Sequence, residues 1–515
     1  MAERDRREAP GSRPSRKRRK HEHSHPGGTG AVLGAQLARF SSAQGLSLLL
    51  TNILHYASIP VVARFLGAQS LGSYALLFFA TTLVTQVIHL ASKPGTIMRT
   101  FGVADDDDDG GDDDEEEGEE VVSTRPTYTL GVGIVWCTFL AAVTIGLVFV
   151  FRTQIAEFLL HDPDQANAVL FATITGAVWA IFKLGEIVFW FESRPLAYAL
   201  IDASRPTFNL IAIVAILASG AGVEGAILGQ AIGTTIAAAL CIVLLRGSYQ
   251  LGFDFGELRE ILKRGSMRVP IASSMWVIQN ADVFLLSRYV NHSELGLYTF
   301  ASRTGFMVAF LPQGFRMALR PIRKGATYRA YRREYGVSVA QGQLLAYFVL
   351  VTLTAVLAMV LGGEILIQVG GPRFESAAPL VPLTAAAMSM PALYRTVSAM
   401  STYSNKRRTF VISTIGAALL YAGVMVGLLS QTGIGIYAAP ISMLLAFMIP
   451  STFMFLRSQL GDEPIEFPYL PMLQATLVAS GLAVAYHFAH PDDKWVQLPL
   501  IALVMGIWIA SLFLL

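Results

Sequence analysis

The sequence predicts an all-α polytopic membrane protein of about 14 transmembrane helices, and three observations predict it. Of its 515 residues, 53% are hydrophobic and 15% are charged, far from the balance of a soluble chain. Its apolar residues fall in runs of about 20, the length at which a helix crosses a hydrocarbon core of about 30 Å. The Lys and Arg of the connections concentrate in alternate loops, the asymmetry that orients a spanning bundle. These runs are too long and too uniformly apolar for the alternating strands of a closed barrel, the other spanning solution.

Along the chain, residues 1–40 carry ten Lys or Arg among Pro, Gly and Ser, which predicts a disordered basic cytoplasmic tail. The basic run 16–20 looks like a nucleic-acid patch in isolation. Ahead of a long apolar segment it reads instead as a juxtamembrane anchor touching membrane lipids, so no nucleic-acid partner is expected. The first apolar run is too long, and lacks the small-residue cleavage pattern, for a removable signal. Spans are expected at 41–64, 70–92, 128–151, 168–191, 200–219, 222–245, 269–290, 296–318, 339–361, 378–400, 409–430, 435–456, 469–489 and 496–515. They group into an N-terminal six-helix bundle (41–245), a cytoplasmic linker (246–268), a C-terminal six-helix bundle (269–456) and two additional helices (469–515). Both termini are expected in the cytoplasm, and the short outer connections leave no room for an extracytoplasmic catalytic domain. Residues 105–120, with thirteen Asp or Glu and three Gly, form a like-charged cytoplasmic loop that cannot fold on itself. It reads as an acidic insertion typical of a salt-loving cell in preference to a calcium- or polycation-binding tail.

Two stretches align without a gap. Arg64-Phe65-Leu66-Gly67-Ala68-Gln69-Ser70-Leu71-Gly72-Ser73-Tyr74 matches Arg288-Tyr289-Val290-Asn291-His292-Ser293-Glu294-Leu295-Gly296-Leu297-Tyr298. A looser echo pairs Arg205-Pro206-Thr207-Phe208 with Arg407-Arg408-Thr409-Phe410, each expected to open a helix. Six spans separate the members of the first pair, so the halves share one orientation. Parallel repeats about an axis along the membrane normal mark transporters whose cargo path runs between the halves.

Together with Ala281-Asp282-Val283-Phe284-Leu285-Leu286-Ser287-Arg288, Ala301, Arg303 and the Gly370-Gly371-Pro372-Arg373-Phe374 segment, these motifs resemble the polysaccharide-export flippases of the MATE-like superfamily. The resemblance covers nearly the whole chain after residue 40. It implies two parallel six-helix bundles facing each other in a V and a lipid-linked glycan as cargo. The basic tail and the acidic loop depart from the family pattern without touching the helices.

Ionisable groups inside spans are costly and mark function or a specific partner. Asp282, beside Asn280, either pairs with a neighbouring Arg or takes up Na⁺ or H⁺ as a coupling ion. Lys183 and Glu186, three apart on one helical face, either pair or join that coupling. Arg303 lies within an apolar span and is the leading candidate for the anionic head of the cargo, because a guanidinium fork matches phosphate oxygens and keeps its charge. Arg64 and Arg288 occupy matching positions at the outer ends of the first and seventh spans, where they either contact cargo or cap helices. Arg316, Arg320 and Arg395 lie near the cytoplasmic face, as substrate contacts or as anchors. Tyr74, Trp179, Trp190, Trp276 and Tyr298 are packing residues or sugar-stacking platforms.

No catalytic constellation emerges. His55 and His89 lack carboxylate or Cys partners at metal-ligand spacing, Cys137 and Cys241 sit in apolar stretches, and no phosphate-cradling Gly-rich loop precedes a Lys-Ser/Thr pair. No cofactor is expected, and the chain is expected not to be an enzyme. The expected function is export of a lipid-linked oligosaccharide or polysaccharide precursor, on a polyprenyl or dolichyl phosphate carrier, across the cell membrane. The alternative is a cation-coupled drug or metabolite antiporter of the same fold; a membrane glycosyltransferase or polymerase ranks third.

Overall fold

The computed structural model describes residues 27–101, 125–191, 194–309, 345–346, 348–359, 361–363, 366–402, 407–431 and 433–459, with 474 and 481 singly. All regular structure among them is helical. Helix α1 (Gly27–His89) contains the first two expected spans, joined at Gly67, whose φ of 74° only glycine adopts without strain. Four further spans follow: α3 (Pro126–Leu160), α4 (Ala166–Phe191), α5 (Pro195–Leu217) and α6 (Gly222–Leu244). The seventh and eighth expected spans are α8 (Val269–Leu286) and α9 (His292–Val308). The ninth is broken, since α10 (Phe348–Met359) and α11 (Leu361–Gly370) meet at a bend of 55°. Then come α12 (Leu380–Thr402), α13 (Arg407–Gln431) and α14 (Ala438–Gln459). Eight of these helices, or nine counting the bent pair, are long and apolar enough to cross a membrane. The expected spans 469–489 and 496–515 and the acidic loop lie outside the described residues.

Three local expectations need correction. α1 already begins at Gly27, inside the stretch expected to be disordered, because residues 31–38 are mostly Ala, Val, Leu and Gln and simply extend the first span. Arg205 and Pro206 do not open α5 but lie ten residues into it, whereas Arg407 does open α13. Two short amphipathic helices, α2 (Ser92–Phe101) and α7 (Phe255–Ser266), occupy segments expected as plain connections.

The packing uses small and hydroxyl residues, as suits helices with no hydrophobic force between them in lipid. Gly225, Gly229 and Gly233 form a stripe on α6 against α5; a Cβ added at Gly229 would lie 2.8 Å from Ile213 Cα, and one at Gly233 would overlap the Asn209 backbone. α1 is zipped to α4 at three successive turns: Thr81 donates to Ala172 O (3.1 Å), Thr85 to Gly176 O (2.9 Å), and His89 Nε2 meets Ala180 O (2.8 Å). α3, α4, α5 and α6 gather around α1, while α9, α12, α13, α14 and α8 form a second group. The two groups meet chiefly where the second segment of α1 runs along α9, with α8 beside it.

α7 is fastened to the first group. Arg99 of α2 grips Glu257 through Nε–Oε1 (3.1 Å) and Nη2–Oε2 (3.2 Å), and Thr129 of α3 donates to the same carboxylate (2.7 Å). Partial burial pushes the Glu257 carboxyl up, but the bonds from Arg99 and Thr129 outweigh it and hold the group below its ordinary value. The linker thereby delivers the start of α8 to the junction between the groups.

Candidate functional site

At that junction lies a cavity of about 390 Å³, within the range typical of ligand sites. α1 and its continuation supply Gln86, His89 and Lys93; α8 supplies Trp276, Gln279 and Asn280, with Arg268 just before its first turn; α9 supplies Arg303; α12 supplies Arg395. Among the described residues, four cations line one cavity and none of the lining residues is Asp or Glu. Phe306, Met388, Met443 and Met275 complete an apolar wall. Arg268 and Arg395 are buried, so their charges act with little screening by water.

Each charge has a local reason for its position. Arg268 caps the start of α8, where Pro270 in the first turn needs no hydrogen-bond acceptor for its nitrogen. Pro391, inside α12 and one turn before Arg395, is also part of the lining. Arg303 lies over the Phe78 ring at 5.2 Å, a cation–π contact across the two groups, and it also borders a second, much smaller chamber. That chamber is lined by Ser58, Tyr74, Asn209, Gln230 and Thr299, on the side of Arg303 toward the Gly67 kink.

The remaining sequence candidates divide sharply. Asn280 lines the cavity and donates to Trp276 O within its own helix (3.1 Å). Asp282 does not line it: the carboxylate is buried and accepts from Tyr298 OH at 2.5 Å, so Tyr298 rather than Arg303 is its bonded partner. Lys183 and Glu186 pair at 2.7 Å within α4, away from the cavity. Arg64 and Arg288 lie at the other end of the helices and bind backbone carbonyls, Arg64 those of Gln368 and Val369 and Arg288 that of Phe158. Arg316 and Arg320 lie outside the described residues, as does the side chain of Trp190. Trp276 lines the cavity, whereas Trp179 packs under the guanidinium of Arg205 at 4.2 Å.

Lys93 and Arg268 were not singled out from the sequence. Each sits at the very edge of an apolar run, where it is indistinguishable from an ordinary basic loop residue. Periodicity is the available signal for Lys93, since residues 92–101 read as an amphipathic helix of nearly three turns continuing the second span.

Comparison with known proteins accords with this architecture. The chain is similar to a lipid II flippase MurJ in an inward closed conformation, with a TM-score of 0.68 at 13% identity over 92% of this chain and 98% of that one. It is also similar to an inward-facing multidrug resistance MATE family transporter of the MOP superfamily, with a TM-score of 0.60 at 13% identity over 82% and 97%. A third likeness is to the MATE multidrug transporter DinF-BH in complex with R6G, with a TM-score of 0.56 at 15% identity over 82% and 95%. The chain thus has the fold of the MATE-like exporters. Within that class, residues 134–322 match the model of the family described as polysaccharide biosynthesis protein. No curated protein matches the chain by sequence.

Proposed function

We propose that this protein is a flippase that carries a lipid-linked oligosaccharide or polysaccharide precursor from the cytoplasmic to the outer leaflet of the cell membrane by alternating access. The observation that carries the reading is the cavity between the two helix groups, lined by Lys93, Arg268, Arg303 and Arg395 with no carboxylate among its described lining residues. Such a site attracts a phosphate or pyrophosphate and repels a cationic drug. The family match over residues 134–322 and the likeness to a lipid II flippase point to the same cargo class. With both termini cytoplasmic, the cavity lies in the inner half of the membrane, where it meets a polyprenyl or dolichyl phosphate carrier arriving from the cytoplasmic leaflet.

The division of labour follows. The four cations hold the phosphate head, Trp276, Phe306 and the Met side chains face apolar parts of the cargo, and the glycan extends into the polar volume around Gln86, Gln279 and Asn280. In this reading the protein binds, orients and exposes its cargo without altering it. Asp282, Asn280, Lys183 and Glu186 remain the candidates for coupling to Na⁺ or H⁺. A drug antiporter on this fold needs acids facing the cavity, and Asp282 and Glu186 are engaged elsewhere by Tyr298 and Lys183.

Deletion of the gene tests the reading in the cell. Lipid-linked glycan should accumulate, assembled but shielded from an impermeant external lectin, with loss of glycan from the surface. Unchanged surface glycan in a strain with no second flippase would overturn it, and raised sensitivity to cationic drugs would favour the antiporter.

A further inference from the structure

We propose that Arg64 and Arg288 are two repeat-related latches that hold the outer end of the pathway shut, and that releasing both is the step that opens it outward. The inference rests on the alternating-access reading above and adds to it a specific gate.

Arg64, at the end of the first segment of α1, donates Nε to Val369 O (3.0 Å) and Nη2 to Gln368 O (3.4 Å). Those carbonyls lie in the last turn of α11, in the opposite half of the repeat. Arg288, just after α8, donates Nη2 to Phe158 O (2.9 Å), in the last turn of α3, again in the opposite half. The two arginines occupy equivalent places in the aligned repeat, and the helices they cap are equivalent too, being the third span of each half. Each therefore places a cation at the negative end of a helix that belongs to its partner half. Arg288 gains further hold by lying over the Phe158 ring at 4.2 Å and the Phe284 ring at 4.9 Å.

The same reciprocity appears between the latches. A Cβ added to Gly72 would overlap the carbonyl of His292, and a Cβ added to Gly296 would overlap the carbonyl of Ala68. Gly72 and Gly296 are aligned in the repeat, and so are Ala68 and His292. The α1–α9 crossing is thus built from two copies of one glycine-to-carbonyl contact, one from each half. Ser73 Oγ adds a bond to His292 Nδ1 (3.0 Å) across the same seam. All of these contacts sit at the end opposite the cationic cavity.

Two like bonds from two halves suit a gate: they break together when the halves rock, and each leaves an arginine that water can solvate. Arg64 and Arg288 are both exposed, so each contributes about a two- to tenfold bias toward the closed state.

The test attaches spin labels at Gln69→Cys and Ser293→Cys in the full chain, with Cys137 and Cys241 replaced by Ala, and measures their distance distribution by pulsed electron resonance in lipid. The parent should give a short distance. Arg64→Gln and Arg288→Gln should each move part of the population to longer distances by similar amounts, and the double variant should move more than either. Gly72→Ala and Gly296→Ala should do the same by wedging the crossing, whereas Gly146→Ala, with open space around it, should not. Where a double variant fails to fold, the two glycine variants decide. A distribution unchanged by the latch and glycine variants would overturn the proposal. The distance readout does not require cargo, so a shift with no glycan transport would leave the gate standing and refute the flippase reading, while glycan transport with no shift would refute the gate alone.

Discussion

Replacing Arg303 separates a cargo-binding role from a structural one, because its surroundings make the two predict different things. Its guanidinium lines the cavity and rests over Phe78 at 5.2 Å, while Asp282, the carboxylate expected as a rival partner, is bonded by Tyr298. Loss of the cation–π contact costs about 0.5–1 kcal/mol, so Arg303→Lys and Arg303→Ala should fold and reach the membrane at near-normal levels. A planar fork makes two charge-assisted bonds to a phosphate where an ammonium makes one, and each such bond is worth about 1.5–3 kcal/mol. Arg303→Lys should therefore lower transport at subsaturating cargo by roughly 10- to 100-fold, and Arg303→Ala by more. The assay is translocation of lipid-linked glycan in proteoliposomes, normalised to folded protein by monodisperse gel filtration. Full transport by Arg303→Ala at normal abundance would remove this residue from the mechanism. Low abundance restored by an Arg303→Asp, Asp282→Arg swap would show instead that the pair is structural.

The clamp on α7 gives a pH prediction. The Glu257 carboxyl titrates below its ordinary 4.5 in the folded protein, so the stability it lends is complete above that value and is lost as pH falls through the folded value. Limited proteolysis of the linker at pH 7 and pH 4 should show acid-induced cleavage that Glu257→Gln already shows at pH 7; equal resistance of both proteins at both pH values would contradict it. Gly233→Ala should lower stability by about 1–3 kcal/mol through overpacking of α6 on α5, and Gly416→Ala, which has open space, should not. Labelling of single cysteines should place Asn291 and Arg373 outside and Asp109 inside; the reverse for any of them would break the orientation.

The helices were legible because apolar runs of spanning length leave few alternatives, and twelve expected spans overlap helices from α1 to α14, the ninth displaced toward the C-terminus. What the pattern missed is physically instructive. α2 and α7 are short and only half apolar, so a search for long runs passes over them, yet they place Lys93 and Arg268 in the cavity. The repeat was visible at Arg64 and Arg288, but their role was not, because a cation at a span end looks the same whether it meets lipid, cargo or a carbonyl of the other half. Arg303 was found because a charge within an apolar run stands out. Asp282 stood out for the same reason and proved to be bonded within its own half, by a tyrosine sixteen residues on.

Direct observation of flipping tests the central claim most closely. The purified protein is reconstituted in liposomes whose lipid-linked glycan is trapped in the inner leaflet, and an impermeant glycosidase added outside reports how much becomes accessible with time. The account predicts that the parent protein exposes the glycan well above the protein-free rate, that neutral lipid-linked sugars without a phosphate are not exposed, and that a variant lacking the positive charges of Lys93, Arg268, Arg303 and Arg395 behaves like empty liposomes. Equal rates with and without the parent protein, or undiminished flipping by the charge-stripped variant in folded form, would contradict it.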